Sequence, residues 1–188
     1  MTAQEALQRL KDGNERFVSG RSKPDWFADL SKGQNPFATI LGCSDSRVPP
    51  EILFDAGLGD LFIVRVAGNV VGSEILGSLG YALEHLHTPL FVVLGHEKCG
   101  AVQAAIQAKF HGKREKRKIG ELVDVIVPAL EGIEDNESAW DCAVEANVRY
   151  ACRQLAATPG GREAAAKGHF DLVGAVYEIA TGRVRFLE

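Results

Sequence analysis

The chain has 188 residues, 46% apolar and 24% charged, which is ordinary for a globular protein and enough for one domain with a full core. A net charge of −4 argues against nucleic acid or an anionic membrane as partner. Met1 to Leu7 has no basic region leading into an apolar core, and no apolar run approaches the ~20 residues that span a bilayer; the expectation is a cytoplasmic protein, where disulfides are disfavoured.

Ala3 to Val18 carries Leu7, Leu10 and Phe17 among charges and predicts one or two amphipathic helices, broken near Gly13. Ser19 to Asn35 is polar, with Gly20, Pro24 and Gly33, and reads as a connecting arm. Trp26, Phe27 and Leu30 in that arm need a surface to pack on, which points to a second subunit. Phe37 to Gly42, Leu61 to Val66 and Leu90 to Leu94 are apolar runs of buried-strand length. Helical periods follow at Ser73 to Leu86, Ala101 to about Phe110, Ile119 to Leu130 and Glu137 to Leu155. Lys113 to Lys118 is basic without interleaved aromatics and reads as a solvated turn or helix end. Thr158 to Gly161 reads as a turn, Phe170 to Ile179 is mostly apolar, and Thr181-Gly182 looks like a hairpin turn before Arg183 to Leu187. The alternation predicts an α/β fold with a mostly parallel central sheet, flanking helices and an N-terminal helical arm.

Two short segments carry chemistry. Cys43-Ser44-Asp45-Ser46-Arg47 and His96-Glu97-Lys98-Cys99 each follow a Gly-ended apolar run. Ligands in open α/β sheets bind beyond the carboxyl ends of strands, so residues far apart in sequence can meet there. Cys43, His96 and Cys99 offer two thiols and an imidazole, a set that zinc prefers, and three protein ligands leave a fourth tetrahedral position free. This is the pattern of a hydrolytic or hydrating zinc enzyme, with one Zn2+ per chain. There are four cysteines. Two bridges are arithmetically possible, but a reducing compartment favours the metal reading for the first two. Cys142 and Cys152 lie in a helical pattern and read as core.

Asp45 and Arg47 are two apart, so an extended segment projects them to one side, where they can form a two-point ion pair. Held this way, Asp45 is an acceptor for a proton at the metal site. Released, it can swing onto the metal, so the pair can be catalytic or switch-like. Cys-x-Asp-x-Arg alone, or His-x-x-Cys alone, is more often structural. Both together, each after a Gly-ended apolar run, are much less easily accidental.

Over nearly its whole length the chain resembles the β-class carbonic anhydrases. The resemblance rests on Cys43-Ser44-Asp45-Ser46-Arg47-Val48, Arg65-Val66-Ala67-Gly68-Asn69, His96 through Ala101, Val173 through Tyr177 and Thr181-Gly182. It implies that Cys43, His96 and Cys99 hold zinc, that Asp45 and Arg47 form the catalytic dyad, and that the reaction is reversible hydration of carbon dioxide to bicarbonate and a proton. It also implies self-association as a dimer or a higher multiple such as a tetramer, the whole chain 1–188 being one domain whose residues 1–35 pack on a partner subunit. Gln34, Phe62 and Tyr81 fall where plant-type members place substrate-pocket residues. Members with an off-metal bicarbonate site carry Trp three residues before the first Cys ligand; Ile40 stands there in this chain, which implies Asp45 paired with Arg47 near neutral pH.

Two other functions fit the same residues. Relatives of this fold hydrolyse carbonyl sulfide or carbon disulfide, and a zinc-stabilised, non-catalytic assembly protein would use the ion only as a staple. The intact Asp45–Arg47 pair and the three-ligand set argue against the last. His85, His87, His111 and His169 are candidate proton shuttles only in that imidazole titrates near neutrality. Glu97 and Lys98, between two ligands, have no role legible in the sequence.

Overall fold

The computed structural model describes residues 1–23, 30–31, 33–136, 138–168 and 170–187. Trp26, Phe27 and His169 lie outside the described residues.

Five strands form one sheet in the order β2-β1-β3-β4-β5. They are β1 (Ala38–Gly42), β2 (Leu61–Arg65), β3 (Leu90–His96), β4 (Asp171–Tyr177) and β5 (Val184–Phe186). The first four run parallel, and β5 returns antiparallel on β4 after the Thr181-Gly182 turn. β1 and β3 occupy the interior of the sheet, and every residue in both is buried. That explains their unbroken apolar runs, since parallel strands are covered on both faces.

One face is covered by α1 (Ala3–Val18) and the short α2 (Pro50–Leu53), over a core that includes Ala6, Leu10, Ile40, Phe54, Val92, Leu94 and Ala175. The other carries α3 (Ser73–Tyr81), α4 (Gly100–His111), α5 (Arg117–Ile126) and α6 (Ala139–Ala156), over Leu41, Val64, Val93, Val102, Ile126, Val148 and Val176. The strand residues of the two lists alternate along β1, as the period of two requires.

Three local expectations change. α1 does not break at Gly13: it is one helix, opened by a Thr2–Glu5 capping box. Glycine is there for proximity, because a Cβ would lie 1.8 Å from the Phe54 carbonyl oxygen. Thr158 to Gly161 is not a turn but the start of α7 (Pro159–Lys167). The Gly161 N–H donates to Thr158 Oγ1, and Pro159 sits in the first helical turn, where a missing N–H costs nothing. Cys142 is exposed rather than core, and Cys152 is only partly buried. The basic run 113–118 is solvated as expected, ending as α5 begins.

Candidate metal centre

β1 ends at Gly42 and β3 at His96, neighbours in register, since Gly42 pairs with Leu94. Cys43 therefore leaves β1 beside the point where His96 closes β3. Lys98 turns the chain with a positive φ of 52°, and Cys99 follows at the N-cap of α4. The three ligand atoms lie within 4.8 Å of one another, and all three residues are buried.

The imidazole is aimed. His96 Nδ1 lies 2.9 Å from the Glu97 carbonyl oxygen, which can only accept, so Nδ1 carries the proton and Nε2 presents a lone pair. Nε2 is fully buried and has no hydrogen-bond partner among the described residues. An orphaned buried acceptor of this kind is costly unless something else binds it. The two sulfurs point to the same occupant. Proximity to the Cys99 thiol, helped by His96 and by the N–H groups of Gly68 and Asp45, holds Cys43 down at about 4. The same contact, with burial, pushes Cys99 well above the usual thiol range. Two buried sulfurs this close, beside an imidazole lone pair, make the place a dication takes when both are thiolates. The residues fit zinc.

Asp45 and Arg47 meet at the rim. Arg47 Nε donates to Asp45 Oδ1 at 2.9 Å and one terminal nitrogen donates to Oδ2 at 2.7 Å. The Arg47 backbone N–H adds a third bond to Oδ1 at 3.0 Å. These bonds hold the Asp45 carboxyl well below the ordinary carboxylate range. Oδ1 has both lone pairs engaged. Oδ2 keeps one, and Oδ2 is the oxygen 3.9 Å from His96 Nε2.

Several supporting residues escaped the sequence reading. Arg65 Nε donates to the Cys43 carbonyl at 2.8 Å, and its terminal nitrogen donates to the Asp45 carbonyl at 2.6 Å, so the loop from ligand to carboxylate is pinned at both ends. Gly68, at φ +68°, donates its N–H to Cys43 Sγ at 3.3 Å. Glu97 now has a role: its N–H donates to the Tyr177 carbonyl and its carboxylate accepts from the Ile179 N–H, which clasps the end of β3 to the end of β4. Only the Arg65–Asn69 motif hinted at any of this.

The pocket candidates separate from the cluster. Phe62 on β2 stacks on Tyr81 at the end of α3, with ring centroids 6.2 Å apart, and Tyr81 abuts His85 at 4.9 Å. Tyr81 and Gln34 are exposed. Among the described residues, no hydrogen bond or ring contact joins these three to Cys43, His96 or Cys99.

An open, mostly parallel sheet with a Cys-His-Cys triangle and an Asp–Arg pair at its carboxyl rim defines a zinc-type hydrating centre. Similarity to known proteins gives the class a family. The carbonic anhydrase family model matches residues 38–184. The chain is 43% identical over 185 residues to carbonic anhydrase 2 of Mycobacterium tuberculosis, covering 95% of this chain and 89% of that one. It is 41% identical over 187 residues to the carbonic anhydrase of Mycolicibacterium smegmatis, covering 95% and 90%. The solved β-carbonic anhydrase CcaA superposes with a TM-score of 0.76 at 28% identity, over 98% of this chain and 93% of that one. The Coccomyxa β-carbonic anhydrase gives 0.76 at 25%, over 98% and 82%. This chain belongs to the β-carbonic anhydrase family.

Proposed function

We propose that the protein catalyses zinc-dependent, reversible hydration of carbon dioxide to bicarbonate and a proton, with Cys43, His96 and Cys99 holding one Zn2+ per chain. The observation that carries it is the buried triangle of three ligand atoms, with the one free lone pair of Asp45 turned toward it. When bound, zinc lowers the pKa of a coordinated water to about 7, the value found in a carbonic anhydrase site with three histidine ligands.

The chain's own groups do the rest. Arg47 fixes Asp45 by two charge-assisted bonds, so the carboxylate points its free lone pair at the site and cannot swing inward. Asp45 thereby accepts a hydrogen bond from the attacking water and orients the oxygen lone pair used on the substrate carbon. With its pKa held down, Asp45 keeps this acceptor role across the physiological pH range.

Gln34, Phe62 and Tyr81 are proposed to line the route of a small nonpolar gas, with the Phe62–Tyr81 stack as its apolar wall. Among the described residues no hydrogen bond or ring contact brings them to the triangle, and we propose that assembly as a dimer or tetramer completes the pocket. One structural relative is described as tetrameric. Residues 1–35 are proposed to pack on a partner subunit. α1 already seats Ala6 and Leu10 in its own chain, so its outward face is the part of α1 left for that contact. Four free thiols suit a cytoplasmic location, and among the described residues no helix is long and apolar enough to cross a membrane.

Stopped-flow carbon dioxide hydration decides the reading. Asp45→Asn should retain zinc and lose roughly 10²–10⁴-fold in kcat/KM. Arg47→Ala should lose a comparable amount. Wild-type turnover of carbonyl sulfide or carbon disulfide in preference to carbon dioxide, or no chelator-sensitive turnover, would reject it.

A further inference from the structure

Helix α6 touches the surroundings of all three ligands. Asn147, buried in the middle of α6, donates from Nδ2 to the Gly68 carbonyl at 2.8 Å. Gly68 in turn donates its N–H to Cys43 Sγ. The next residue along the helix, Val148, presses on β3: a Cβ at Gly95, the residue before His96, would lie 2.4 Å from Val148 Cγ2, and one at Gly174 on the neighbouring strand 2.9 Å from Val148 Cγ1. Near the start of the helix, Trp140 Nε1 donates to the Cys99 carbonyl at 3.3 Å. Trp140, Val144, Asn147 and Val148 share one helical stripe, and Ala143, Val144, Asn147, Val148 and Ala151 are buried along it.

We infer that α6 is the template that fixes the spacing of the metal ligands, with Asn147 the positioning residue for Cys43 and Trp140 the one for Cys99. Gly68 is the critical piece. Its backbone is left-handed, at φ 68° and ψ 17°, and a Cβ there would lie 2.7 Å from Ile126 Cδ1 and 3.0 Å from the Ala101 Cβ, which suits glycine. Its N–H and its carbonyl belong to the two peptide groups that flank its Cα, so anchoring the carbonyl restricts the turn that aims the N–H at the sulfur. Asn147 is that anchor, and its bond is buried, where breaking it leaves the carbonyl unpaired. The N–H to sulfur bond both places Sγ and withdraws charge from it, so Asn147 acts on the metal through two intervening bonds, as outer-shell residues do elsewhere.

The inference rests on the metal reading above, and the test separates the two. Full-length wild type, Asn147→Ala, Trp140→Phe and the exposed control Cys142→Ser are stripped and reloaded with Co2+. Co2+ affinity is measured by chelator competition, the sulfur-to-cobalt charge-transfer band by absorption, and folding by circular dichroism. Failure of wild type to bind one Co2+ per chain overturns the metal reading itself. If wild type binds, Asn147→Ala should bind roughly 10–100-fold more weakly, with a shifted charge-transfer band from the loss of the N–H to sulfur bond. Trp140→Phe should weaken binding less and leave the Cys43 contribution in place, while Cys142→Ser matches wild type. A folded Asn147→Ala protein with wild-type affinity and band overturns the inference. Should that variant not fold, Trp140→Phe, which keeps an aromatic ring and loses the donor, decides: affinity equal to wild type overturns the template role, weaker binding upholds it.

Discussion

Two asparagines lie buried on opposite faces of the same sheet, and they do different things. Asn14, on α1, closes its bonds locally: Nδ2 donates to the carbonyls of Leu53 at 3.0 Å and Gly182 at 2.9 Å, and Oδ1 accepts from the Val184 N–H at 2.8 Å. It staples α1 to the last residue of α2 and to the β4–β5 turn. Asn147, on α6, bonds to a peptide that bonds to a sulfur, and beside that sulfur is an imidazole nitrogen that no described residue binds. A buried polar chain that ends on itself is scaffold. One that ends on an open lone pair leads to a ligand.

The comparison breaks most completely at the open end. His96→Ala should remove the metal, taking content from one per chain to near zero and hydration activity with it, while the α1 face stays intact. Metal analysis with a tryptophan-fluorescence melt checks this, and retained stoichiometric zinc would dissolve the distinction between the faces. Asn14→Ala should do the reverse. It strands two carbonyls and an N–H, which costs about 1–3 kcal/mol and lowers Tm by several degrees, with metal affinity unchanged. A Tm drop together with a weakened metal site would show the two faces to be one cooperative unit.

The smallest effect lies at the back of α6. Burial pushes the Cys152 thiol up to about 11 from 9.0. The folded chain thus keeps a proton that the unfolded chain gives up first. Stability from this group is full below pH 9 and is lost as pH rises toward 11, on the order of 1–2 kcal/mol. Denaturant titrations from pH 8 to 11 should show a shallower alkaline decline for Cys152→Ser than for wild type. Parallel curves would mean that the site is wetter than its packing implies.

What the sequence made legible follows from distance along the chain. Cys43 and His96 stood out because each ends an apolar run at a glycine, and Cys99 because three residues separate it from His96. Asp45 and Arg47 were readable as a pair two residues apart. Asn147 was not, since nothing in Asn-Val-Arg announces a partner 79 residues away. Glu97 was opaque for the same reason: its carboxylate serves Ile179, 82 residues on. The failures at Gly13 and at Thr158 to Gly161 have another cause. Glycine and proline were read as breakers, whereas one lets Phe54 approach α1 and the others sit in a capped first turn, where proline is at ease.

The contacts by which α6 and Gly68 reach the candidate metal centre close long loops, with chain separations of 79 for Asn147 to Gly68, 41 for Trp140 to Cys99 and 25 for Gly68 to Cys43. Parallel pairing of β1 with β3 must precede them, and topologies of this kind assemble slowly because chain entropy is lost before the contacts offset it. The His96–Cys99 turn is short enough to form early, and it carries two of the three proposed ligands. If α6 is the template, metal uptake during refolding should lag the formation of secondary structure and report the docking of α6 over the sheet, a rate that stopped-flow Co2+ absorption measures.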